Sequence, residues 1–175
     1  MRATRTHAVA LAVMVTFLGA AAEAASAVEG EKRDPKVSHP RRVVVSIPDR
    51  KLAVLENDIV VRLFSVAVGS PSSPSPVGTF TIVNRIDRPT YYAPGKVIPP
   101  NARNPLGTRW LGLSVKGYGI HGTDVPNSIG HARSHGCIRL RNRDVEELFE
   151  MLRPGDIVEL HAERTAVIQR IFEAL

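Results

Sequence analysis

Ser134-His135-Gly136-Cys137-Ile138-Arg139-Leu140 is the stretch on which the reading of this chain turns. It carries the only cysteine of the 175 residues. A glycine stands directly before the sulfur, His131 and His135 precede it, and Arg139 follows two positions on. A thiol attacks only as thiolate, and a neighbouring imidazole can take its proton and lower its pKa. The glycine lets the backbone turn tightly, so that N–H groups point at an incoming carbonyl oxygen. The distant imidazole is His121, in Tyr118-Gly119-Ile120-His121-Gly122-Thr123. A lone cysteine is most often a small buried apolar residue. This one, with its glycine, histidines and arginine, reads as a nucleophile beside a base. The competing reading is zinc, because His121, His131, His135 and Cys137 are all ligand types. No pair has zinc-finger spacing, and residues 131, 135 and 137 would have to share one turn, so no metal site is assigned.

These residues carry a family resemblance. Ile120-His121-Gly122-Thr123 followed by Ser134-His135-Gly136-Cys137-Ile138-Arg139-Leu140 resembles the signature of the L,D-transpeptidase (YkuD-type) catalytic domains. Pro76-Val77-Gly78-Thr79-Phe80 is similar to that family's Pro-x-Gly-x-Phe segment, and Asn104-Pro105-Leu106-Gly107 to its Asn-Pro-Leu-Gly stretch. Four blocks in family order are far more specific than one motif.

The resemblance implies a mainly β fold, sandwich-like, with one or two short helices and with the cysteine and histidine in one cleft. It implies acyl transfer on peptidoglycan stem peptides in cell-wall biogenesis, with no cofactor. Cys137 would form the acyl-thioester and release D-alanine. The acceptor would be an amine on a second stem, a protein lysine such as one on an outer-membrane lipoprotein, or water. His121 would be the base, with its ring oriented by the Gly122 carbonyl. Backbone N–H groups around His135, Gly136 and Cys137 would form the oxyanion hole. Carbapenems would acylate the same sulfur. Arg139, Ser134 and Tyr92 are the expected substrate contacts, although Ser134 also suits a purely local hydrogen bond and Arg139 an ion pair with Asp144 or Glu147. A carboxypeptidase or hydrolase of the same fold, and a non-catalytic wall-binding protein, are the alternatives. The second is disfavoured because both Cys137 and His121 are present.

Residues 1–27 read as a secretory leader. Arg2 and Arg5 supply the positive start, residues 8–22 are an uncharged apolar run, and Ala25-Ser26-Ala27 fits a cleavage site before Val28. The run is short for a membrane span. The expectation is an exported protein in the periplasm or cell-wall space. There, an unpaired cysteine means an intermolecular bond or a free reactive thiol, which agrees with the nucleophile. The formal net charge is +6, and +5 without the leader. A basic surface suits an anionic partner. Export and the lack of a basic stripe interleaved with aromatics exclude nucleic acid and favour a carboxylate-rich wall polymer.

Residues 28–41 are polar and read as a linker, residues 42–161 as the catalytic domain and residues 162–175 as an amphipathic helix. Within the domain, β-branched runs predict strands over residues 42–46, 52–55 and 59–68, and another over 78–83. Residues 110–115 and 118–121 are further short strands. Residues 86–105 show no strand or helix period and read as a long loop, a rim or lid carrying Tyr91, Tyr92 and Lys96. Asn142 is placed as the cap of a helix whose apolar side is Val145, Leu148, Phe149 and Leu152. Pro154-Gly155 ends that helix, and a last strand covers residues 157–160.

Overall fold

The computed structural model describes residues 40–173. The expected leader, most of the expected linker and residues 174–175 lie outside the described residues. The chain opens with β1 (Arg42–Ser46), β2 (Lys51–Glu56) and β3 (Ile59–Ser65), an antiparallel meander. Short β4 (Val68–Gly69) leads to the long β5 (Gly78–Asp87). A hairpin of β6 (Tyr91–Ala93) and β7 (Lys96–Ile98) follows, then β8 (Arg109–Leu113) and β9 (Gly119–His121). A 3-10 turn at Pro126–Ser128 precedes β10 (Ala132–Ser134) and β11 (Ile138–Arg139). Helix α1 (Asn142–Met151), β12 (Ile157–His161) and α2 (Ala166–Glu173) complete the order.

Eight strands form one mixed sheet in the order β11-β9-β8-β5-β12-β1-β2-β3. Two of its pairings, β1 with β12 and β9 with β11, are parallel and join distant parts of the chain. Side chains from both ends of the sheet and from α1 share one buried cluster, so the sheet is curled around it. The curl is stitched at its open side. Ala67 N–H donates to the Arg139 carbonyl at 2.8 Å, and Arg139 N–H returns the bond at 2.9 Å. The β11 segment is thereby held on both sides. The mainly β expectation holds, with one curled sheet in place of two stacked ones.

Strands β1 and β2 are apolar without alternation because both faces are covered. Val43, Val45, Leu52 and Val54 face the main cluster, while Val44, Ala53 and Leu55 meet Ile168, Ile171 and Phe172 of α2. Helix α1 buries Val145, Leu148 and Phe149 as its period predicts.

Two expectations are corrected. Residues 86–105 are not structureless: β5 runs on to Asp87, and Pro94-Gly95 turns β6 into β7. Gly95 has φ +69°, the left-handed conformation that the third position of a type II turn requires. The third strand stops at Ser65, short of residue 68, and the chain then shifts to pair β4 with β10.

Candidate active site

The site is assembled where β9 and β11 run side by side. Their parallel register sets Ile138 against Ile120 and Arg139 against His121. Along the extended segment, Ile138 and Leu140 turn into the core, each 1% exposed or less. Cys137 and Arg139 therefore share the opposite face. That face opens on a cleft of about 510 Å³ lined by Cys137, His121, His135 and Arg139, with Tyr91, Tyr92, Leu106 and Trp110 among its walls. Tyr92 stands at the rim, 74% exposed.

His121 is buried and fixed by two contacts. Its ring stacks on Trp110 with centroids 5.6 Å apart, and Trp110 Nε1 donates to Asn84 Oδ1 at 3.1 Å. Its Nδ1 lies 2.6 Å from the Gly122 carbonyl oxygen. A carbonyl only accepts, so Nδ1 carries the proton and Nε2 is left as the acceptor. The contact with Gly122 is a main-chain bond, in which no side chain at that position takes part. A Cβ there would fall 2.2 Å from Asn142 Oδ1, so a larger residue would displace the Asn142 side chain.

Burial pushes the His121 imidazole down from 6.5 to about 4, the Gly122 hydrogen bond opposes this, and the Arg139 charge adds to it. Burial also pushes the Cys137 thiol up, against a Gly119 backbone hydrogen bond and the Arg139 charge. The resting pair at neutral pH is therefore a neutral thiol and a neutral imidazole. The sequence-based expectation of a depressed thiol does not hold here, because desolvation outweighs the neighbouring charge.

The turn before the sulfur is braced from within. Gly136 has φ +105°, and a Cβ on it would meet Tyr118 Cε1 at 2.6 Å. Ser134 Oγ donates to the Cys137 carbonyl at 2.5 Å and accepts from Gly136 N–H at 3.0 Å. Ser134 is 1% exposed, so its place is this brace and not a substrate contact. Gly136 N–H is also spent on it, which removes it from the expected oxyanion set. The N–H groups of His135 and Cys137 have no partner among the described residues. The His135 side chain is exposed at the cleft, whereas His131 does not line it.

Arg139 makes no ion pair with Asp144 or Glu147; Glu147 pairs with Arg62 instead. Its Nε is buried without a partner among the described residues. Among those residues no three His, Cys, Asp or Glu side chains gather as a metal-binding group.

Two organising residues were hidden from sequence reasoning. Asn104, fully buried, donates to the Pro89 and Ile98 carbonyls at 2.8 and 3.1 Å and accepts from Leu106 N–H at 2.9 Å, tying the hairpin to the cleft wall. Asn142 is not the cap of α1, since Arg141 holds that position and no side-chain capping bond forms. Its Oδ1 instead accepts from Thr108 and Thr123 N–H at 3.3 and 3.1 Å.

A profile of the L,D-transpeptidase catalytic domain, YkuD, matches residues 40–160 of this chain. The chain belongs to this family. It is 42% identical over 121 residues to the Bacillus licheniformis protein named L,D-transpeptidase YkuD, covering 69% of this chain and 66% of that one. The chain thus spans just under two thirds of that relative's length. Among solved structures, an L,D-transpeptidase from Mycobacterium smegmatis superposes with a TM-score of 0.60 at 23% identity, over 70% of this chain and 59% of that one. An L,D-transpeptidase in complex with imipenem gives a TM-score of 0.59 at 24% identity, over 70% of this chain and 59% of that one. At these identities the structural likeness speaks for the fold.

Proposed function

We propose that this chain is a cysteine-dependent L,D-transpeptidase that acts on peptidoglycan stem peptides outside the cytoplasm. The observation that carries the proposal is the pairing in one cleft of the lone thiol with a buried histidine whose Nδ1–H is committed to the Gly122 carbonyl. Family membership supports the reaction type.

Nε2 of His121 takes the Cys137 proton as the sulfur attacks the carbonyl of the third stem residue. The oxygen, now carrying the charge, accepts from the N–H groups of His135 and Cys137. Collapse expels the amine of D-alanine, which takes the proton held on His121, and leaves a thioester. A second amine then attacks, His121 accepts its proton, and the thiol is restored. Arg139 binds a carboxylate of the stem peptide on the same face as the sulfur. The imipenem-bound relative supports a further expectation, that a carbapenem acylates Cys137.

Mass spectrometry of products from purified protein and a defined tetrapeptide muropeptide tests the reading. Cross-linked dimer is the expected product. Tripeptide alone makes the chain a carboxypeptidase, and a stem joined to a protein lysine makes a lipoprotein the acceptor. Exposure to imipenem should add one drug mass to the wild type and none to Cys137→Ala. Unchanged turnover by Cys137→Ala overturns the proposal.

A further inference from the structure

The peptide that orients the base is itself held from behind. His121 Nδ1–H bonds to the carbonyl of Gly122, and the N–H of that same peptide unit belongs to Thr123. Thr123 N–H donates to Asn142 Oδ1 at 3.1 Å. No peptide bond among the described residues is cis. In a planar trans peptide the C=O and N–H point in opposite directions. Holding the N–H end therefore fixes the aim of the carbonyl end.

We propose that Asn142 is a positioning residue for the base, keeping the Gly122–Thr123 peptide turned so that its carbonyl faces His121 Nδ1. Four observations meet on its amide oxygen. It accepts a second bond, at 3.3 Å, from Thr108 N–H in the turn between cleft-wall residue Leu106 and β8. Two glycines make room for it. A Cβ at Gly107 would fall 2.1 Å from Oδ1, and one at Gly122 would fall 2.2 Å away. Asn142 is the first residue of α1, a helix anchored in the core by Val145, Leu148 and Phe149. The peg is thus mounted on a rigid element, as a precise site requires. The bonds run in a chain from Asn142 through the peptide to the imidazole, and each polarises the next. An asparagine placed there only to start a helix would use its oxygen on the helix's own N–H groups. This one makes no such bond.

The inference rests on His121 being the base, and its test needs no substrate. In the folded wild type, proton NMR should show a downfield, slowly exchanging imidazole N–H, assigned to Nδ1 by its absence in His121→Gln. Asn142→Ala should lose that signal while circular dichroism stays native. Asn142→Asp, which keeps an acceptor oxygen in place, should retain it. Where Asn142→Ala does not fold, Asn142→Ser replaces it, since serine suits a helix start but is too short to reach both N–H groups. A secondary readout is turnover: kcat should fall about tenfold or more with KM little changed. A signal unaltered in the folded Ala or Ser variant, or lost equally in Asn142→Asp, overturns the proposal. A wild type that carries the signal but forms no muropeptide product leaves the positioning intact and removes the transpeptidase reading.

Discussion

The two ends of the curled sheet are built on different physics. At the β1–β2–β3 end, strands are apolar on both faces and buried between the main core and α2. Several charges there are paired, Arg41 with Glu56, Arg42 with Asp58 and Glu159, and Arg164 with Asp49. At the β9–β11 end the strands are only two and three residues long. Glycines stand where a Cβ would collide, an imidazole is buried, and the Arg139 guanidinium faces the cleft with no ion pair among the described residues. Burial at the first end is non-directional and accumulates with area. The second end depends on a few directional bonds, each of which must be right. Stability and chemistry are therefore separable by substitution.

The sharpest contrast comes from one residue at each end. Cys137→Ala should lower muropeptide turnover by about 10⁴-fold or more. Its melting temperature should stay close to wild type, since the sulfur's polar contacts are only the 3.7 Å approach to the Gly117 carbonyl and a backbone hydrogen bond from Gly119. Ile168→Ala, in the cluster under α2, should cost about 2–4 kcal/mol in urea denaturation while kcat/KM per folded molecule is unchanged. A matching loss of kcat/KM in Ile168→Ala would show that the two ends are coupled.

The buried imidazole gives the cleft end a pH signature that the other end lacks. His121 lies near 4 when folded against an ordinary 6.5. Between those values the unfolded chain binds the extra proton, so stability rises with pH through that window. The contribution is complete above about 6.5 and lost as pH falls toward 4, and it amounts to about 3 kcal/mol. Urea midpoints across this range should slope more steeply for wild type than for His121→Gln. Equal slopes would mean that the imidazole is not held neutral by burial.

Arg139→Ala is the finest probe. Losing a charged hydrogen bond to a stem carboxylate should lower kcat/KM by about 1.5–3 kcal/mol, mainly through KM. Reaction of Cys137 with a small uncharged electrophile should continue and melting should barely move. A melting drop of several degrees together with slower alkylation would make Arg139 structural.

Much of this was legible in the residues. The β-branched runs of β1 and β3 and the period of α1 are local signals that act within a few positions. Tyr91, Tyr92, Val97 and Ile98 are strand formers too, yet the hairpin they make was obscured by the prolines around it. Asn142 was misread for a related reason. An asparagine at a helix start has a familiar local use, and nothing adjacent in the chain announces that its oxygen is taken by Thr108 and Thr123.

By itself the sequence determined the groups that the proposed reaction would use: one thiol, one histidine ahead of Gly122, and an arginine two residues past the sulfur on the same face of an extended segment. It also determined a mainly β chain with two amphipathic helices. Only the tertiary structure decided that Arg139 lies across from His121, that Ser134 and Asn142 serve as braces, and that the resting thiol and imidazole are both neutral. The reason is physical. Residue type and alternation act through neighbours along the chain, whereas parallel pairing, desolvation and the aim of a peptide plane depend on segments that meet only once the sheet has curled.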